Sequence, residues 1–169
     1  MSIDDLYGRR SWLRGEIRAC EYKIPELEKI ITRTKKEIED LKEDKDRIKN
    51  IVNYINGSDS IISCLGRAIA NTNSAKNTVA SYYNGNQTRG WKSTLNDVAV
   101  VTGETRKVFL EVVKNGKSVI AEIDKEIKNK NIYLQETKKN LESTKGNLEG
   151  YKSDLKDVES EIDHYYDDD

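Results

Sequence analysis

This 169-residue sequence holds one histidine and two cysteines among many carboxylates, and spacing decides whether such groups can act together. His164 is the only histidine, three residues after Glu161 and beside an acidic end. Cys20 and Cys64 are far apart in the chain. Nucleophilic catalysis needs a nucleophile and a base within hydrogen-bond reach of each other. One histidine and two dispersed cysteines supply no such pair, and the cysteine spacing fits neither a metal site nor a disulfide framework. Glu37, Asp40 and Asp44 fall on a helix face and read as solvated charge. The run Asp167-Asp168-Asp169 lacks the glycine turn and spaced ligands of a calcium loop, and no glycine-rich phosphate loop is present. The expectation is a protein that is not an enzyme, with no metal and no cofactor.

The elements that carry these residues are set by composition and period. Charged residues make up 35% of the chain and apolar residues 36%, with a single Pro. Such a balance fits long helices that each bury a narrow stripe. The 29 basic residues are offset by 30 acidic ones. Coating nucleic acid needs excess Lys and Arg on one face, so no nucleic-acid partner is expected. No stretch approaches the ~18 apolar residues of a membrane span. Asp4 and Asp5 near the start, with no apolar run behind them, are unlike a secretory signal peptide, so synthesis in the cytoplasm is expected.

From Ile3 to Ile55 apolar residues recur in alternating steps of three and four. One series is Leu6, Leu13, Cys20, Leu27, Thr34, Leu41, Ile48 and Ile55. Its companion is Ile3, Arg10, Ile17, Ile24, Ile31, Ile38, Lys45 and Val52. This is a coiled-coil seam, and the period excludes strands. Ser2 and Asp5 form a weak capping box ahead of it. Pro25 interrupts the stretch without shifting its register, which reads as a kink. A second seam follows: Ile120, Ile127, Leu134, Leu141, Leu148, Leu155 and Ile162, accompanied by Ile123, Lys130, Thr137, Thr144, Tyr151, Val158 and Tyr165.

Asn-Gly pairs at 56–57, 84–85 and 115–116 punctuate the chain. Asn and Gly tolerate positive φ and end helices. Folding the chain in the turn-like segment 84–90 sets the outer two breaks opposite each other and brings Pro25 near Gly146 and Gly150. The predicted fold is therefore all-α, an elongated antiparallel helical hairpin or coiled coil. It forms one domain over 1–169, with a long helix 3–55, central helices 59–83 and 91–114, and a long helix 117–166. The second central helix is apolar over more than one stripe, carrying Val98, Val100, Val101, Val108, Phe109, Leu110, Val112 and Val113. A simple hairpin does not need that width. Either the central hairpin folds back into a local four-helix bundle, or it offers an apolar surface to a partner; the sequence leaves both open.

Gly90-Trp91-Lys92-Ser93, expected between two helices, resembles the Trp-x-Gly turn of the WXG-type helical hairpins exported by Gram-positive type VII secretion systems. Ser93 replaces the family's glycine. Tyr165 and Asp169 have the spacing of that family's Tyr-x-x-x-Asp/Glu export element. An aromatic such as Trp91 would bury a large area and anchor the turn. Across the whole chain, two long heptad helices around a tryptophan-bearing centre resemble the small accessory proteins encoded beside LXG-domain toxins. That resemblance implies an adaptor or chaperone binding the helical N-terminal LXG domain of a toxin, with a second small helical protein as a further partner. It also implies export with that partner without a conventional signal peptide. Packing would run through the seam positions Leu27, Ile31, Ile38, Leu41, Ile48, Ile120, Ile127, Leu134, Leu141, Leu148, Leu155 and Ile162. Specificity would come from the polar seam residues Thr34, Lys45, Lys130, Thr137 and Thr144.

Competing readings are a self-associating coiled-coil scaffold, which would be a homo-oligomer, and an immunity-type binder that masks a toxin's active domain. A pore-former is disfavoured because Asn, Thr, Lys and Glu interrupt the central apolar residues.

Overall fold

The computed structural model describes residues 2–57, 60–82 and 86–167, with side chains for all of these but 81–82, 86–88 and 166–167. It contains three α-helices, α1 (Ile3–Asn56), α2 (Ile61–Tyr82) and α3 (Asn86–Asp167), and no strand among the described residues. The fold is an all-α helical hairpin. The chain divides into two compact units, one of Met1–Asp40 with Ile127–Asp169 and the other of Leu41–Glu126.

The first unit pairs the start of α1 with the end of α3. Ser2 caps α1 reciprocally: its hydroxyl accepts from the Asp5 N–H at 3.2 Å, and its own N–H donates to the Asp5 carboxylate at 3.0 Å. This is a capping box with Asp in the place usual for Glu. The Ser2 hydroxyl and backbone donors hold the Asp5 carboxyl below the ordinary carboxylate value. The heptad residues Leu6, Leu13, Val158 and Ile162 form one core cluster, and Ile31, Ile38 and Leu134 form another. Flanking ion pairs fix an antiparallel register: Arg14 with Glu159, Glu21 with Lys152, Glu28 with Lys145, and Glu37 with Lys130. One residue number falls as the other rises. Pro25 lies inside α1 between Glu21 and Glu28, and so across from Gly146 and Gly150, as the sequence register requires. Both glycines face open space, so they do not make room for the proline.

The second unit corrects the expected centre of the molecule. α1 ends at Asn56, where the first Asn-Gly pair stands. No described glycine has a positive φ. At Gly57 a Cβ would lie in tight contact, 3.0 Å from the Asn53 carbonyl oxygen. α2 is opened by buried Ser60, whose hydroxyl accepts from the Ser63 N–H at 3.2 Å. The break expected at Asn115-Gly116 does not exist, because α3 runs straight through it. Gly116 serves close approach: a Cβ there would sit 2.6 Å from a Val52 methyl on α1. The turn is also shorter than 84–90. α3 already begins at Asn86, while Asn84-Gly85 lie outside the described residues.

Val52 and Ile55 of α1, Ile62 of α2 and Val113 of α3 form one cluster, with Ile48, Phe109 and Ile120 packed against it. Farther along, the Lys76 ammonium on α2 donates to Asn96 on α3 at 3.0 Å. The end of α1 thus packs near residues 113–120 of α3, and α2 takes over alongside the more N-terminal turns. Within this unit α2 follows the end of α1 alongside α3, and the helix break at Asn115-Gly116 that a local four-helix bundle would need is absent. A helix that is apolar beyond one stripe is therefore left with one face uncovered.

Candidate helix-binding surface

The seam residues named from the sequence are all buried or half-buried, and all are spent within the chain. Leu134 and Leu141 pack with Ile31 and Ile38, and Ile120 packs against Val52 and Ile55. The polar seam residues are likewise satisfied internally. The buried Thr137 and Thr144 hydroxyls donate to the carbonyls of Tyr133 and Asn140 in their own helix. Lys130 pairs with Glu37 at 2.8 Å, and Lys45 pairs with Asp124. Lys130 first and then Arg33 keep the Glu37 carboxyl below its ordinary value. This seam holds the hairpin together, and the expected partner-binding role for it does not fit its burial.

Other sequence-derived positions also move. Gly90, Trp91 and Ser93 sit inside α3 and are exposed, so they form no inter-helix turn. Trp91, expected to plug a turn, is 69% exposed. Tyr165 is half-exposed in the last turns of α3, and its partner in the export motif, Asp169, lies outside the described residues. His164 is exposed and bonds the Ser160 carbonyl at 2.7 Å. Cys20 is buried on its heptad position. Cys64 is exposed and lines an open groove of about 670 Å³ where α1 gives way to α2. Among the described residues no three His, Cys, Asp or Glu side chains gather as a metal site. No helix of the described residues is long and apolar enough to cross a membrane.

What remains open is a face of α3. Leu95, Ala99, Thr102, Phe109, Val113, Gly116 and Ile120 are buried or half-buried and face the neighbouring helices. One residue earlier at each step lies a second series that faces solvent: Trp91, Val98, Val101, Val108, Val112 and Val119. With Thr94, Thr105 and Asn115 these positions keep the alternating three-four spacing of a coiled-coil seam over four heptads, about 42 Å at 1.5 Å per residue. A one-residue offset is a rotation of about 100°, so the two stripes adjoin on one helix. The surplus width is plain in the sequence, whereas its second heptad register is hidden by the first, one residue away. Numbering the helix in sevens from Trp91 (91, 98, 105, 112 and 119) is the signal that exposes it. No protein-family model, no curated protein and no solved structure matches this chain.

Proposed function

We propose that this protein is a non-catalytic helical binding protein whose exposed α3 stripe takes an amphipathic helix of another protein. The observation that carries this reading is the run of exposed valines from Val98 to Val119, 41–65% exposed, at seam spacing. Exposed apolar residues gathered on one face signal an interaction surface, unlike singly scattered ones. A helix laid along the stripe would bury both apolar faces at once. Thr94 and Thr105 within it already donate their hydroxyls to Gly90 and Val101 carbonyls, so burying them strands no donor.

The specific form we favour is an accessory adaptor that binds the helical LXG targeting domain of a toxin for type VII secretion. It rests on the whole-chain likeness of two heptad helices flanking a tryptophan-bearing centre, and on Tyr165 near the end of α3. Co-expression with an LXG domain tests it. A co-purifying complex lost in Val101→Asp/Val108→Asp, with far-UV circular dichroism unchanged, is the expected result. A complex that survives this double substitution would overturn it.

A further inference from the structure

The stripe has unequal borders, and the inequality selects its occupant. Taking Trp91, Val98, Thr105, Val112 and Val119 as a positions makes Thr94, Val101, Val108 and Asn115 d positions. The g border then carries Asp97, Glu104 and Glu111, all exposed and seven residues apart. The opposite, e border is uncharged: Leu95, Thr102 and Phe109, half-buried against neighbouring elements. Among the described residues Glu104 pairs with exposed Lys107, three residues on.

A second copy of the chain fits this border badly. In an antiparallel two-helix seam, g faces g, so each acid would stand against an acid. In a parallel seam, g faces e, and each acid would be pressed against Leu95, Thr102 or Phe109 without a counter-charge. Charged residues at e and g choose coiled-coil partners by such pairing. β-Branched residues at both a and d also favour assemblies of more than two helices. That suits a helix added beside the existing α2–α3 pair.

Building on the helix-binding reading, we propose that the stripe seats a foreign helix with apolar residues at three-four spacing and a seven-residue row of Lys or Arg facing Asp97, Glu104 and Glu111. Asn115 adds a register constraint. It is the one stripe position with a side-chain amide, and a polar residue opposite it satisfies that amide on burial.

The test uses the full-length protein and two synthetic four-heptad peptides, apolar at a and d. One carries Lys at every flanking position and the other carries Glu, so neither self-associates readily. Binding is followed by isothermal titration. The Lys peptide is expected to bind about tenfold more tightly, as three rim pairs would supply, and to weaken with added salt. Asp97→Lys/Glu104→Lys/Glu111→Lys is expected to reverse the preference. Equal affinity for both peptides, abolished by Val101→Asp/Val108→Asp, would overturn the charge selection and leave helix binding standing. No binding of either peptide, or binding untouched by the aspartates, would overturn both. Light scattering that shows a homodimer dissolved by the same aspartates would overturn the foreign partner.

Discussion

At the scale of single residues, glycine separates two uses that a sequence makes look alike. Gly116 and Gly146 both lie inside the continuous helix α3. A methyl at 116 would meet a buried, stiff Val52 side chain at 2.6 Å, while one at 146 meets open space. Helix propensity alone favours Ala over Gly by about 1 kcal/mol. Gly146→Ala is therefore expected to stabilise the fold by about that amount. Gly116→Ala is expected to destabilise it by roughly 1 kcal/mol, because overpacking outweighs propensity. Urea melts of the two variants check the opposite signs. Leu13 has no exposed surface in its cluster with Val158. Leu13→Ala is expected to cost roughly 3 kcal/mol through lost burial and a residual cavity, read from the same melts.

Pairs of helices are held by apolar seams with charges at their margins, and acid addresses the margins. Asp5 and Glu37 have folded-state pKa values below their unfolded ones. The stabilisation linked to them is therefore present above the unfolded carboxylate range and is lost as pH falls through the lower folded values. Thermal stability of the helical signal is expected to be flat near neutrality and to decline from about pH 4 downward. In Glu37→Gln the decline should be shallower, whereas Lys130→Met should leave Glu37 with only Arg33 and raise its pKa. A Glu37→Gln variant with the same acid profile as the parent would contradict this linkage. The seam itself responds differently. Leu134→Asp/Leu141→Asp buries charge between α1 and α3 and is expected to unfold the first unit. Val101→Asp/Val108→Asp places charge on an exposed face, and the helical signal should be unchanged. Circular dichroism of the two double variants distinguishes a seam that folds the chain from a stripe that the fold does not need.

For the molecule as a whole, the near-equal numbers of acids and bases conceal a local asymmetry. Net charge near zero speaks against a nucleic-acid partner and names no protein one, yet the row Asp97, Glu104 and Glu111 lies beside an apolar stripe, which is the basis of the proposed basic counterpart. A charged exterior with an uncovered apolar stripe at heptad spacing is what the proposed helix-binding role requires. The protein alone is accordingly expected to bind an apolar-surface dye more strongly than Val101→Asp/Val108→Asp does, and to lose that excess when its partner is present. Fluorescence titration reads both.

The helical class, the heptad seams, the cap at Ser2 and the register that sets Pro25 across from Gly146 were legible in the sequence. Each is written in a period of seven or in neighbouring side chains, and such local rules act wherever the chain lies. The all-α hairpin followed from them. Three things were decided only by the tertiary structure. Whether Asn115-Gly116 breaks a helix depends on what stands opposite, and Val52 approaching α3 converts a sequence breaker into a packing glycine. Whether Trp91 plugs a turn depends on where α3 begins, and it begins before Trp91, which leaves the indole on the surface. Which of two adjacent apolar stripes is spent internally depends on which face α1 and α2 cover. Periodicity counts the stripes on a helix, and only the neighbouring helices determine which one is left exposed.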